Sequence, residues 1–320
     1  MFRDALLHRI RNCATFARPI QPNTLISMRL TCLLAALLFS KIATAQTEEI
    51  PEPVAYFGEA RTMLDGFRPG DTTWVFGDKI NVRTQPAKDA PVAAQLVGGE
   101  QVIVRDTAQF MSMNGLDQRW LKIGFLKNGA AREGYVWGGL LALGSVQLGD
   151  MRMVYGAASA KFEEGLEGLP TFQIEVRAFP ASGQMRSSAA YKLGMPGSYI
   201  TQIGRIPSLG LAQFPVGGVK IWFSGEACGY PNYDLYVFWD GSKLVPLPSL
   251  QSVADGGMLY HGEEYIFPYL QPEYSRQPDA IFLKESHFEV IHEDEIQSDE
   301  WAKVRRMIWD GKKFTKPVIK

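Results

Sequence analysis

One cysteine and three histidines are the residues that could supply nucleophilic catalysis. Cys228 lies in the segment Gly225–Pro231, and the histidines that follow it are His261, His287 and His292. A catalytic thiol needs a neighbouring histidine to take its proton, and it usually stands at the start of a helix. Glycine and proline on both sides of Cys228 disfavour a helix start there. We therefore predict no catalytic residue, and we expect Cys228 to be a small cysteine that is buried or placed in a turn.

A metal centre is the second kind of chemistry that these histidines could support. The run from His287 to His292 has the composition of a strand, in which alternate side chains point to opposite faces. His287 and Glu289 would then share one face and His292 would lie on the other, so the two histidines could not hold one zinc ion. The acidic segment 293–295 is more typical of a solvated loop than of a calcium site. No metal and no cofactor are predicted.

Aromatic side chains are better candidates for a binding surface. Tyr135 and Trp137 are two residues apart in a predicted strand and would share one face. Such a pair forms either a groove for an extended peptide or a set of half-buried structural aromatics. Trp120 is a further candidate, although its setting favours the core, and Phe110 belongs to an apolar loop predicted at 106–118.

Short β-strands must position these aromatics, because apolar residues alternate with polar ones between clusters of Gly, Pro, Asn and Asp. A further loop is predicted at 126–133. The strands predicted for this region are 79–84, 92–96, 101–105, 119–123 and 134–141.

Residues 72–143 resemble the bacterial SH3 (SH3b) domain. The resemblance rests on landmarks that follow one another in order: NVR, a polar loop with proline, VAAQL, GGEQVIV, RWLKI and GYVWGGLLAL. It implies a small β-barrel that acts as a binding module. The core predicted for this barrel consists of Val82, Leu96, Val102, Val104, Leu121, Ile123, Val136 and Leu140. Gly98 and Gly134 are expected to adopt positive φ angles in turns.

The region 150–320 is expected to be a larger β-rich domain of no family that the sequence identifies. Asp240-Gly241 and Asp310-Gly311 each stand between apolar runs, which is a strong hairpin signal. The repeated hairpins leave a meander, a sandwich and a propeller-like stack open. One helix is predicted, from Ser298 to Met307, because Trp301, Val304 and Met307 would share a helical face. The fold class is therefore mainly β, a small SH3-like barrel followed by a second β-rich domain.

The N-terminal segment has the layout of a secretory leader. Arg29 precedes an apolar run from Leu30 to Phe39, and Ala43-Thr44-Ala45 is a small-residue cleavage site. The run is too short for a permanent span. The predicted organisation is a leader at 1–45 with its signal peptide at 28–45, a lead-in arm at 46–70, a barrel at 71–144 and the C-terminal domain at 150–320. We expect a periplasmic or secreted protein with no membrane span after cleavage.

The charge balance argues against one class of partner. Residues 1–45 hold six of the 33 basic residues and one of the 34 acidic ones, so residues 46–320 carry 27 basic and 33 acidic side chains, a net charge of −6. Nucleic-acid binding needs clustered Lys and Arg, so a nucleic-acid partner is not expected.

Three functions remain open from the sequence. The first is a non-enzymatic exported protein whose barrel binds a peptide, a cell-wall glycopeptide (peptidoglycan) or an envelope protein. The second is a cell-wall hydrolase of the cysteine-peptidase kind, which the resemblance suggests because exported SH3b-like domains often accompany such enzymes. The third is a structural module in which the barrel packs against its neighbour and binds nothing.

Overall fold

The computed structural model describes residues 56–57, 60–162, 170–195, 199–269, 280–292, 297–310 and 312–316. The predicted leader and the first half of the predicted arm lie outside these residues. In the part of the chain that the structure describes, no helix has the length and apolarity needed to span a bilayer.

The described chain is almost entirely β-strand, as the fold class predicted. One short 3₁₀ turn, Gly138–Leu140, interrupts the strands. The first half of the chain contains β1 (Tyr56–Phe57), β2 (Arg61–Thr62), β3 (Thr72–Trp74), β4 (Lys79–Arg83), β5 (Val92–Val97), β6 (Gln101–Met113), β7 (Leu116–Lys127), β8 (Ala130–Trp137), β9 (Gly144–Leu148) and β10 (Met151–Phe162). The second half contains β11 (Pro170–Pro180), β12 (Ser187–Gly194), β13 (Ile200–Ile206), β14 (Gly218–Ser224), β15 (Asn232–Trp239), β16 (Leu244–Pro246), β17 (Leu250–Asp255), β18 (Leu259–Ile266), β19 (Phe282–His292), β20 (Gln297–Arg306), β21 (Ile308–Trp309) and β22 (Phe314–Thr315).

Six strands form a curled sheet, in the order β3-β6-β7-β8-β4-β5, which we call the curled sheet. Its inner face is apolar because alternate residues of each strand point inward. The predicted core is confirmed: seven of its residues are buried in one cluster, and Leu140 packs against that cluster partly buried. The inner face therefore holds the sheet in its curled shape.

The loop predicted at 106–118 is wrong. These residues extend β6 and β7 into a long antiparallel hairpin that turns at Asn114 and Gly115, both with positive φ. Asn-Gly between strands favours such a tight turn because both residues tolerate positive φ. A second Asn-Gly turn, at Asn128 and Gly129, replaces most of the loop predicted at 126–133.

The positive φ angles predicted for Gly98 and Gly134 are also wrong. Neither has a positive φ, and the turn after β5 places Gly99 in that conformation instead. A Cβ on Gly98 would lie 2.0 Å from the ring of Phe179, and one on Gly134 would lie 2.4 Å from Cγ1 of Val82. Close packing, not turn geometry, excludes a side chain at both positions.

The other described residues form two further sheets and a short hairpin. A four-stranded sheet has the order β12-β11-β10-β9, and a ten-stranded sheet has the order β1-β13-β14-β15-β17-β18-β19-β20, with β16 beside β15 and β2 beside β13. From β13 onward the large sheet is a meander of antiparallel neighbours. Its first strands and the four-stranded sheet contribute side chains to one core, so the region combines a meander with packing between two sheets.

Both predicted Asp-Gly hairpins are confirmed as strand pairs, β15 with β16 and β21 with β22. Gly311 itself lies outside the described residues. The predicted helix from Ser298 is wrong, because these residues form β20 and pair with β19. The ladder to β19 satisfies the backbone groups that a helix would have satisfied internally.

One hydrophobic core joins the curled sheet to the other sheets. It contains Leu116, Trp120 and Trp137 from the curled sheet, together with residues such as Tyr155 and Phe223 from the sheets that follow. The residues from Pro51 to Lys320 accordingly form one compact unit. The predicted barrel ends at residue 144 and the predicted C-terminal domain begins at residue 150. The segments on the two sides of this boundary share the core.

Candidate functional site

The outer face of the curled sheet, opposite its apolar inner face, carries Tyr135 and Trp137, the two aromatics that were predicted to share one face of a strand. On β7 and β8, the residues that alternate with the inner core point to this outer face. Its rows of cross-strand neighbours are Trp120 with Trp137, Lys122 with Tyr135, and Gly124 with Glu133. These three rows differ strongly in their exposure, so one face has a covered end and an open end.

The covered end contains Trp120 and Trp137, which expose only 4% and 2% of their surface. The indole N–H of Trp137 donates a hydrogen bond to the carbonyl of Met111 at 2.9 Å. Its ring also lies over Gly139, where an added Cβ would come within 2.1 Å of it. Both tryptophans pack into the core shared with the following sheets, so a ligand has no access to them in this structure.

Tyr135 stands at the boundary between the covered and the open end. Its side chain is half-buried and packs against the shared core, and its Cα partners are Lys122 and Arg83. Lys122 in turn forms an ion pair with Glu133. Tyr135 therefore lies one row away from the open end, next to its charged groups.

The open end forms a groove with a volume of about 640 Å³. We call it the outer groove and define it by the residues that point into it from three strands: Ile103, Arg105, Gly124, Leu126, Ala131 and Glu133. Leu126 is 70% exposed, the highest value among the large hydrophobic side chains of the described residues. A single exposed leucine is common on protein surfaces, but Leu126 lines a concave surface, and ligands bind preferentially in such places.

The missing side chain at Gly124 shapes the floor of this groove. Gly124 lies between Ile103 and Glu133 in the central row. Arg105 extends over the space that a side chain would fill, because a Cβ on Gly124 would lie 2.7 Å from its Nε. The Arg105 side chain is half-exposed and can turn away, so a ligand could reach an apolar floor beneath it.

Charges of both signs line the rim. The ammonium of Lys122 lies 2.7 Å from a carboxylate oxygen of Glu133, and Nε of Arg105 lies 3.9 Å from the other oxygen. The hydrogen bond between Lys122 and Glu133 lowers the pKa of Glu133 and raises the pKa of Lys122. At the far side, Lys127 pairs with Glu100 at 3.4 Å. The rim thus offers both cations and carboxylates around neutral pH.

Phe110 lies apart from the outer groove. It is 50% exposed, and the guanidinium of Arg119 stacks 4.0 Å from its ring centre. Arg119 is fixed by Asp65 at 2.8 Å. The structure therefore does not bring the four predicted aromatics together: two are buried, Tyr135 borders the groove, and Phe110 stands elsewhere on the β6–β7 hairpin.

Cys228 is exposed and lies between β14 and β15, in a segment without a helix. Within the described residues it has no hydrogen bond or ion pair with a histidine. His261 and His287 lie elsewhere, on neighbouring strands of the meander with ring centres 5.9 Å apart, and His287 stacks on Trp301.

His287 also lies 3.7 Å from Glu289, so these two share a face as predicted. The side chain of His292 lies outside what the structure describes. No group of three His, Cys, Asp or Glu side chains within the described residues could hold a metal ion.

Comparisons with protein-family models, with curated proteins and with solved structures gave no match.

The outer groove was missed by reasoning from the sequence. The segment RWLKIGFLK contained the available signal, since a glycine within a strand often marks a close approach of another group. Leu126 follows two residues later on the same face, which makes a small apolar depression possible there.

Proposed function

We propose that this chain is a non-enzymatic binding protein that holds an extended peptide in the outer groove. The peptide could be free, part of a cell-wall glycopeptide or a segment of an envelope protein, because all three present the same backbone chemistry. The observation that carries the proposal is that Leu126 is exposed beside an open groove. The curled sheet is already stabilised by its inner core, so folding of the sheet does not require an exposed leucine there.

The chemistry of the groove suits a peptide. The apolar floor would accept an aliphatic or aromatic side chain, while Arg105 and Glu133 could pair with charged groups or with peptide N–H and C=O groups. None of the described residues that line the groove is a serine, cysteine or histidine. We propose that the groove binds its ligand without cleaving it.

The resemblance of residues 72–143 to bacterial SH3 domains supports the same proposal, since that family consists of binding modules. The leader predicted at 1–45 would place the groove in the periplasm or outside the cell. Peptidoglycan peptides and envelope proteins are available in both compartments.

A purely structural role is the second candidate, and the burial of Trp120 and Trp137 favours it. In that case the outer face of the curled sheet serves to attach it to the following sheets. The two candidate functions make different predictions for Leu126. Its side chain contributes little to the attachment between the sheets, but it would contribute much of the binding energy of a ligand.

The test compares Leu126→Glu with Val92→Glu. Val92 is 49% exposed on β5 of the same sheet, outside the groove, and is therefore a matched control. Retention is measured on purified peptidoglycan, on a pool of unstructured peptides and on an immobilised extract of envelope proteins, so that the three sources are distinguished.

Burying a leucine side chain stabilises a complex by about 1.5 to 3 kcal/mol. Leu126→Glu should therefore weaken retention by at least about tenfold, and Val92→Glu should leave it unchanged. Absence of retention on all three materials, or equal retention of both variants, would favour the structural role.

A further inference from the structure

Among the strands that the structure describes, the last strand of the ten-stranded sheet has no neighbour on its outer side. β20 runs for ten residues, from Gln297 to Arg306, and within the described residues it pairs only with β19. An edge of this length presents a row of backbone N–H and C=O groups to which another strand can pair.

Two of the usual features that protect such an edge, proline and a bulge within the strand, are missing from β20. It contains neither proline nor glycine. Its pairing with β19 is regular from Ser298 to Arg306, and the one irregularity lies at its beginning, opposite Val290 and His292. The edge is therefore straight enough to accept a second strand along nine residues.

Charges along the strand are arranged by sign. Asp299 and Glu300 stand near its beginning, and Lys303 and Arg306 stand towards its end. All four side chains are exposed, and within the described residues none of them forms an ion pair or a hydrogen bond. Charged side chains can themselves discourage pairing at an edge, but here their order makes the strand complementary to an antiparallel copy of itself.

The register of such a pairing follows from geometry. A two-fold axis perpendicular to the sheet keeps each side chain on its own face and can pass through Ala302. Trp301 then faces Lys303 of the second copy. Asp299 and Glu300 lie diagonally across from Lys303 and Arg306 of the second copy, within reach of long side chains. Asp299 also directly faces Arg305 of the second copy, which forms an ion pair with Glu285 of its own chain. Lys303 already lies 4.3 Å from the Trp301 ring centre within one chain, so this pair of residue types is compatible.

We propose that β20 pairs with β20 of a second copy of this chain, which makes the two large sheets continuous in a symmetric dimer. The small side chain of Ala302 lets the strands approach at the centre. The proposal is independent of ligand binding in the outer groove, because it depends only on β20.

The experiment uses two variants with reversed charges. Asp299→Lys/Glu300→Lys makes the edge basic throughout, and Lys303→Glu/Arg306→Glu makes it acidic at its end. Sedimentation velocity measures the mass of the purified chain from about 1 to about 200 μM, since dimerisation depends on concentration. The natural chain should dimerise, and each variant alone should dimerise at least about tenfold more weakly, because each places like charges diagonally across from each other, at 299 and 303 and at 300 and 306.

Mixing the two variants restores opposite charges at these diagonal positions on both sides of the axis and should restore the dimer. Asp89→Lys/Asp150→Lys changes the net charge as the first variant does, at exposed sites away from β20, and should dimerise like the natural chain. A natural chain that stays monomeric throughout, charge variants that dimerise unchanged, or a mixture that stays monomeric would each overturn the proposal.

Discussion

Replacement of Trp137 by alanine should destabilise the whole unit rather than remove a ligand contact. The indole is 2% exposed, packs in the core between the curled sheet and the following sheets, and donates a hydrogen bond to Met111. Removing a buried tryptophan side chain costs about 3 to 5 kcal/mol, because it removes apolar contacts and leaves a cavity. The carbonyl of Met111 also loses its donor, which adds about 1 kcal/mol.

The assay is urea unfolding followed by far-ultraviolet circular dichroism. With a total loss of about 5 kcal/mol and a slope of about 3 kcal/mol per molar urea, the midpoint should fall by about 1.7 M. Trp137→Phe keeps most of the apolar volume and loses the N–H, so it should cost about 1 to 2 kcal/mol. Phe110→Ala is the control at an exposed aromatic and should cost less than about 1 kcal/mol.

Two results would refute this reasoning. One is a loss below about 1 kcal/mol for Trp137→Ala, which would mean that the indole is not part of a tight core. The other is a natural chain that unfolds in two separate steps, one for the curled sheet and one for the rest, since a shared core couples them.

Two further predictions follow from particular contacts. Gly115→Ala should lower the unfolding free energy by about 2 kcal/mol or more, since Gly115 has a φ of +76° and an added Cβ would lie 2.0 Å from the carbonyl oxygen of Ala160. Gly129→Ala, in the matching turn with φ +77° and open space around it, should cost only about 1 kcal/mol, and equal losses in urea unfolding would contradict this account. Lys122→Met should raise the pKa of Glu133 towards its ordinary value, measured by NMR titration of the carboxyl carbon, because the hydrogen bond that lowers it is lost. Because the pKa of Glu133 is lower in the folded state, ionised Glu133 stabilises the folded state at pH values above the ordinary carboxyl pKa, and this contribution is lost as the pH falls through the lowered value. If Glu133 titrates unchanged in the Lys122→Met variant, Lys122 is not the cause of the lowered pKa.

The strands of the curled sheet could be predicted because their apolar residues alternate. The extension of β6 could not, since its pairing with β7 shifts register between Val104 and Asp106 and again between Thr107 and Phe110. Each shift interrupts the alternation on which the prediction depends. The turn at Asn114 and Gly115 was nevertheless visible in the sequence.

The error at β20 has a different origin. Trp301, Val304 and Met307 are spaced as on a helix, yet in the strand Trp301 and Val304 lie on opposite faces, and Val304 is 45% exposed. A ten-residue segment with mixed polarity satisfies both patterns, and pairing with β19 decides between them.

Only part of the candidate site could be predicted from the sequence. Tyr135 and Trp137 do lie on the same side of β8, as their spacing predicts. Whether that side is covered depends on the four-stranded and ten-stranded sheets, most of whose strands lie far from β8 in the sequence, and such long-range packing leaves no local pattern. The groove itself results from a missing side chain at Gly124, which composition and periodicity do not emphasise.

The most direct test of the account places a photo-crosslinking amino acid at position 126 and, separately, at position 92. Each protein is irradiated with the peptide or peptidoglycan material that the natural chain retains. The account predicts crosslinks from position 126, which lies in the outer groove, and none above background from position 92. Crosslinks of equal yield at both positions, or crosslinks only from position 92, would contradict the claim that the outer groove is the binding site.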